Sequence, residues 1–408
     1  MKQYFIVIFL LVLISCKQEK FDNRIEEDVT FLADDKLEGR NTGSEGEKIA
    51  ADYIVERFKK LGIESKGTEG YFQPFTFKPK TNPHSKATLS ETSSDSTITG
   101  KNVLGFIDNK AENTIIIGAH YDHLGFGEEG GSLHAGDKEI HNGADDNASG
   151  VAVLLNLAAK LKEGEAKNNN YLLMAFSGEE LGLLGSNYFV KNGTIDLKSV
   201  NYMINMDMVG RLKKDSTLAV YGTGTTPIWS QTLHSLNTKF KLVEDKSGVG
   251  PSDHTSFYLS DIPVLHFFTG QHENYHKPSD DADLLNYEGM YAISDYIFDI
   301  ILELDDNNKL AFTKTKDAKK DSPRFKVTLG IMPDYLYDGK GMRIDGVTED
   351  NPAHKAGILK GDVVIKMGEL EIADMMGYMK GLSQFEKGST TKVIVLREGK
   401  EVEVEVTF

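Results

Sequence analysis

Five side chains able to bind a metal ion stand where apolar segments of this sequence meet polar ones. His120 follows the apolar run 113–118 (NTIIIG), and Asp122 lies two residues beyond it. Asp146 lies in NGADDNASG, residues 142–150, ahead of the apolar stretch 151–161. Glu180, with Glu179 beside it, follows the run 171–176 and the break at Ser177-Gly178. Asp207 directly succeeds the run 200–206, and His276 sits in the polar loop after 262–268. Mixed imidazole and carboxylate donors suit zinc, with cobalt or manganese as substitutes. Adjacent side chains cannot both point the same way, so one glutamate can hold a metal while its neighbour reaches for substrate. An acidic pair alone is accounted for by a helix dipole. Five donors from separate segments need another explanation.

The segments that must position these residues alternate between strand and helix patterns. Short apolar runs at 102–107, 113–118, 171–176, 200–206, 218–221 and 262–268 read as strands. Helices are expected within 25–62, where Gly62 stops the pattern, and over 151–161, 181–190, 226–240, 255–259 and 285–304. Long connections between strands favour an α/β fold, a mainly parallel but mixed sheet with helices on both faces. In such sheets ligands bind at the carboxyl edge, where these donors fall. Gly222 and Gly224 resemble a phosphate loop only superficially, since no GK[ST] follows.

At 408 residues the chain allows two or three domains. A formal net charge of −16 argues against nucleic acid as a partner. The single cysteine, Cys16, allows no intramolecular disulfide. Lys2 and the apolar run 4–14 have the shape of a secretory signal, too short to span a bilayer as a mature helix. Leu13-Ile14-Ser15-Cys16 resembles a bacterial lipobox, which implies cleavage before Cys16 and lipid on its sulfur. The expected location is the cell envelope, lipid-anchored at the outer membrane, facing the periplasm or the cell surface. The expected division is a signal at 1–16, a main domain at 17–312, a linker at 313–322 and a small domain at 323–408.

GAHYDH, GADDNASG, SGEELGLLGS, NMDMVG and NYHKPSD, in this order, resemble the five motifs of the co-catalytic dizinc aminopeptidases. Relatives of that family include glutamate carboxypeptidases and glutaminyl cyclases. The resemblance covers roughly residues 25–305. It implies two zinc ions per chain. His120 and Asp207 would hold one, Glu180 and His276 the other, and Asp146 would bridge them. Glu179 would be the general base, Asp122 would orient His120, and Tyr275 could donate to the developing oxyanion. The implied activity is removal of N-terminal residues from peptides. A glutaminyl cyclase, a carboxypeptidase of the family and an inactive peptide-binding lipoprotein are the alternatives. His254 is expected to line the pocket. His272-Glu273-Asn274-Tyr275-His276 also matches H-E-x-x-H. That motif needs a helix, and Gly270, Pro278 and the lack of helical periodicity argue against one.

Residues 351–365 (NPAHKAGILKGDVVI) resemble the corresponding stretch of bacterial PDZ domains, small mainly-β modules. The resemblance makes Thr328-Leu329-Gly330-Ile331 the loop that would receive a peptide C-terminus, with 375–382 as the helix beside the groove.

Overall fold

The computed structural model describes residues 24–79, 87–94, 96–128, 131–134, 136–315, 327–334, 337, 339–348 and 351–408. The signal and lipobox at 1–16 lie outside the described residues, as do most of the linker and the start of the small domain.

The larger sheet has ten strands. In chain order they are β1 (Glu64–Ser65), β2 (Phe72–Lys78), β3 (Thr88–Ser90), β4 (Ile98–Ile107), β5 (Thr114–His120), β6 (Asn170–Phe176), β7 (Val200–Met206), β8 (Thr217–Tyr221), β9 (Lys241–Asp245) and β10 (Val264–Phe268). Their spatial order is β3-β2-β4-β6-β5-β7-β10-β8-β9, with β1 paired to β4. The centre, β6-β5-β7-β10, is parallel, while β4 and β8 join it antiparallel. The sheet is therefore mixed around a parallel core. From β5 the chain passes to β6 on one side and then crosses to β7 on the other. That reversal opens a crevice at the carboxyl ends.

The central strands are apolar throughout because both sheet faces are covered. Ile115, Ile117, Leu173 and Ile204 point into one core, with α1 (Ile25–Leu32), α2 (Glu45–Lys60), α3 (Gly150–Glu163), α5 (Trp229–Leu236) and α7 (Tyr287–Glu303). Their alternates Ile116, Leu172, Met174 and Met203 point into the other, toward α4 (Leu184–Lys191) and α6 (His254–Tyr258). The period of two along each strand thus separates the cores. α3 runs between the sheet, α1 and α7, so residues 150–161 are all buried.

Several elements depart from the sequence expectation. The helical region 25–62 is two helices, α1 and α2, separated by a kinked turn at Asp35–Arg40. There Gly39 and Arg40 take left-handed φ of 66° and 49°. Helix α4 starts at Leu184 rather than 181, so Glu179 and Glu180 sit in a turn. The helix expected over 226–240 is only α5, and the chain then forms the edge strand β9.

A second sheet of six strands lies C-terminal. It comprises β11 (Ile331–Pro333), β12 (Met342–Val347), β13 (Val363–Met367), β14 (Leu370–Glu371), β15 (Thr390–Arg397) and β16 (Lys400–Thr407). With α8 (Pro352–Lys355) and α9 (Met375–Leu382) it encloses its own apolar core. Among the described residues no helix is long and apolar enough to cross a membrane.

Candidate metal centre

His120 is the last residue of β5 and is buried. Its Nδ1 lies 3.2 Å from the main-chain oxygen of Asp122. That contact makes Nδ1 an N–H donor and turns Nε2 toward the carboxylates, where it can serve as the metal-binding nitrogen. Nε2 stands 3.2 Å from Asp146 Oδ1 and 3.3 Å from Asp207 Oδ1. The other oxygen of Asp146 faces a second group. Oδ2 is 3.1 Å from His276 Nε2 and 4.0 Å from His123 Nδ1. Glu180 completes this group, with Oε2 3.4 Å from His276 Nε2 and Oε1 2.9 Å from His123 Nδ1.

These spacings fit two cations. Tetrahedral zinc holds nitrogen and oxygen donors at about 2.0–2.2 Å, which sets neighbouring donors about 3.3–3.6 Å apart. The sets His120–Asp146–Asp207 and His123–Asp146–Glu180 each keep their donor atoms within 4.8 Å of one another, and Asp146 belongs to both. The electrostatics agree. Burial opposes charge on the imidazoles of His120 and His276, yet the surrounding carboxylates push both well above the ordinary histidine range. Burial likewise acts to raise Asp146 and Glu180. The histidines beside them nevertheless hold Asp146 well below the carboxylate range and Glu180 at about 2. The pocket is built for positive charge among ionised carboxylates.

The turns that present these donors have specific supports. Asp280 Oδ2 accepts the main-chain N–H groups of Asp145 and Asp146 at 3.0 and 3.1 Å. Asp145 faces away from Asp146's partners. Its Oδ1 accepts from Gly210 N at 2.7 Å and its Oδ2 lies 3.1 Å from His272 Nε2. Gly143, at φ 55°, sits under the His123 ring, where a Cβ would come within 2.5 Å of Cδ2. Gly178, at φ 71°, turns the chain out of β6 into Glu179. His276 itself has φ 54°, a left-handed conformation costing about 1–3 kcal/mol in an ordinary residue. Its Nδ1 donates to the oxygen of Gly131 at 2.8 Å, and its own carbonyl accepts from Leu133 N.

Glu179 adjoins both groups without joining either. Burial pushes its carboxyl well above the usual range, and Asp207, Asp253 and Glu180 add to the rise. It lines a cleft of about 580 Å³ together with Tyr221, Phe268, Gln271 and Tyr275. The Tyr275 ring stacks on His276 at 3.8 Å.

His120, Asp146, Glu180, Asp207 and His276 thus converge at one edge of the sheet. One sequence expectation needs correction, one needs refining, and one residue was missed. Asp122 meets His120 Nδ1 more closely through its main-chain oxygen than through its carboxylate. Its Oδ1 is 3.7 Å from Nδ1 and accepts from Glu179 N at 3.1 Å, while Oδ2 accepts from Thr42 at 3.0 Å. Asp122 therefore meets His120 chiefly through its main chain and the base through its side chain. His254 does not line the cleft. It is fully buried behind His266, with the rings stacked at 4.4 Å. His123 carried no expectation at all. Strand alternation sends it to the face opposite His120, but β5 ends at His120 and the turn brings both rings to one pocket.

The H-E-x-x-H stretch forms a turn rather than a helix, and His272 is engaged with Asp145. In the small domain Leu329 is fully buried, Gly330 N–H donates to Thr328 Oγ1 at 3.0 Å, and Ile331 opens β11.

Residues 102–301 match the family model described as peptidase family M28, and residues 327–408 match a PDZ domain. The chain joins a domain of peptidase family M28 to a C-terminal PDZ domain. It is similar to a probable leucine aminopeptidase of Trichophyton verrucosum (strain HKI 0517). They are 32% identical over 174 residues, 40% of this chain and 44% of that protein. Aminopeptidase YwaD of Bacillus subtilis (strain 168) is 28% identical over 237 residues, 54% of this chain and 48% of that protein. The chain thus spans about half the length of these curated relatives. The crystal structure of a Zn-dependent exopeptidase from Parabacteroides distasonis superposes with a TM-score of 0.56 at 17% identity. That match covers 69% of this chain and 98% of that one, and at this identity it establishes the fold alone.

Proposed function

We propose that the protein is a zinc-dependent exopeptidase that removes residues from the free amino terminus of peptides. One observation carries the reading. The two oxygens of Asp146 face two separate donor sets at the foot of a cleft that Glu179 also lines. In this reading His120 and Asp207 hold one zinc, Glu180 and His276 the other, and Asp146 spans both. Bound there, the ions would polarise the scissile carbonyl and acidify the attacking water. The protein's own steps follow from its side chains. Glu179, its main chain held by Asp122, takes the proton from the water and returns it to the leaving amine. The rise in its carboxyl pKa suits a base that must also act as an acid. Tyr275 lines the same cleft, and in this reading its hydroxyl donates to the oxyanion. The aminopeptidase relatives support the reaction class.

The test is hydrolysis of amino-acid p-nitroanilides and of their N-blocked analogues, with zinc counted in the same preparation. Release only from free amino termini, with two zinc ions per chain, is the expected result. Release from N-blocked peptides would indicate a carboxypeptidase or endopeptidase. Cyclisation of N-terminal glutamine with one zinc would indicate a glutaminyl cyclase. Two further proposals rest on the sequence. Lipid at Cys16 anchors the chain in the envelope, so Cys16→Ala should release it from the membrane fraction. The PDZ domain takes a peptide C-terminus at Leu329-Gly330-Ile331, as the strand-addition mode requires.

A further inference from the structure

The second donor set contains one residue more than the five-ligand scheme uses. His123 is 1% exposed, and among the described residues neither of its ring nitrogens has a hydrogen-bond partner. An imidazole buried in that state has lost its water without gaining a partner, which is unfavourable unless something else is bound there. Yet Nδ1 lies 2.9 Å from Glu180 Oε1. The two atoms are in contact, yet both stand without a hydrogen bond of good geometry. Two donors aimed at a common third point are arranged in this way. Asp146 Oδ2 stands 4.0 Å from the same nitrogen, and the His276 ring meets the His123 ring edge to face at 5.8 Å. The backbone is built to put the ring there. His123 N donates to Arg40 O at 3.2 Å, Asn41 bridges to His123, and Gly143 leaves room beneath the ring.

We infer that His123 is a direct ligand of the metal held by Glu180 and His276. That site then has four protein donors, His123, Asp146, Glu180 and His276. The other has three, His120, Asp146 and Asp207. Four donors fill a tetrahedral shell, whereas three leave a position open. The two metals are thereby unequal. The four-donor ion is held more firmly, and the position free for exchange lies on the His120–Asp207 side. This inference rests on the dizinc reading and extends it by one ligand.

The experiment is a chelator titration of the full chain, with zinc counted by mass spectrometry, for wild type, His123→Ala and His123→Asn. Wild type should retain two zinc ions and release them at two distinct chelator concentrations. In His123→Ala the tighter site should weaken at least about 10-fold, the low end of what even an outer partner of a ligand is worth. Circular dichroism of the metal-saturated variant should match wild type. Asparagine fills much of the space and offers a weaker donor. His123→Asn should therefore fall between the two, and it decides the matter if the alanine variant does not fold. Cobalt substitution gives a second readout. Loss of a nitrogen donor should change the visible spectrum of one site only. Release curves that superimpose for wild type and both variants overturn the inference and leave the dizinc reading intact. A wild type that never holds two ions overturns both.

Discussion

Glu179 and Glu273 separate two ways of building a zinc hydrolase. Glu179 lies half-buried at the foot of the cleft beside both donor sets, whereas Glu273 lies exposed on a turn. Glu179→Gln should cut kcat by about 100- to 10,000-fold, the usual share of a general base, with both zinc ions retained. Glu273→Gln should leave kcat unchanged. Steady-state rates with zinc counts check both, and the opposite ranking would restore the H-E-x-x-H motif as the site. A different glutamate reports on pH. Glu47 is buried, accepts from Gly43 N and meets Ser177 Oγ. Burial, with Asp122 nearby, pushes its carboxyl up to about 8 from an ordinary 4.5. The folded protein therefore keeps a proton that the unfolded chain releases across that window. Stability from this group is full below pH 4.5 and is lost as pH rises toward 8. Glu47→Gln mimics the protonated form. Its stability, read from thermal melts, should gain on wild type between pH 5 and 8, by an amount on the order of a few kcal/mol at the top of the range. A constant difference across that window would mean Glu47 is ionised throughout. The donors His120, Asp146, Glu180 and Asp207 were legible because each lies within a few residues of an apolar run whose end could be seen, and His276 because its motif NYHKPSD follows the last of them in order. His123 was not, because its approach depends on a turn and on a glycine 20 residues away.

The turn between α1 and α2 shows what an element can do without contributing a donor. The Arg40 guanidinium is buried and donates to the carbonyls of Leu32, Tyr121, Asn142 and Gly143. Burial lowers its pKa to about 10, while Asp146, Asp122, Asp280 and Glu180 act to keep it charged. One side chain thus ties the segment after β5 to the segment carrying Asp146. It comes from residues ahead of the stretch that matches the family model. Arg40→Met would leave four carbonyls without this donor and remove a buried cation from an acidic site. Breaking such a contact costs about 3–5 kcal/mol, or roughly 10 °C in melting temperature. Arg40→Lys keeps charge but not the fork, and should recover only part of the loss. Thermal melts with and without saturating zinc check this. A wild-type melt for Arg40→Met would show that the two segments hold their places unaided. The ties that Arg40 makes were invisible in the sequence, because its bonding partners lie 8, 81, 102 and 103 residues away. The break itself is marked locally by Gly39, Gly43 and the N-cap Ser44. The central strands were visible because both of their faces are buried, so even a single window carries the signal. Edge strand β9 lacks that signal, since its residues are exposed or half-buried.

At the scale of the whole molecule, the apolar side chains divide into cores that share no residue along the chain. Those of the M28 domain use residues up to 312, and that of the PDZ domain begins at Val327. The division does not fall where the main chain first loses regular structure. Beyond α7 the segment stays pinned. Phe312 packs its ring 5.6 Å from Tyr258, and Thr313 N donates to Thr225 O at 2.7 Å. Thr315 accepts from Gly248 N through its Oγ1 and donates its own N–H to the Tyr258 hydroxyl. A chain ending at residue 322 keeps all of these contacts. It should melt with the M28 domain of the full protein and turn over p-nitroanilides at the same kcat/KM. A chain ending at 310 loses them. Several hydrogen bonds at about 0.5–1.5 kcal/mol each, with part of one aromatic burial, amount to about 3–6 kcal/mol. Its melting temperature should fall by about 10 °C or more, with zinc lost earlier in a chelator titration. If the two shortened chains melted alike, the segment 311–315 would be a passive tether. If the chain ending at 322 failed to fold, the PDZ core would be part of what holds the metal domain together, and the separation of cores would be one of packing only, not of stability.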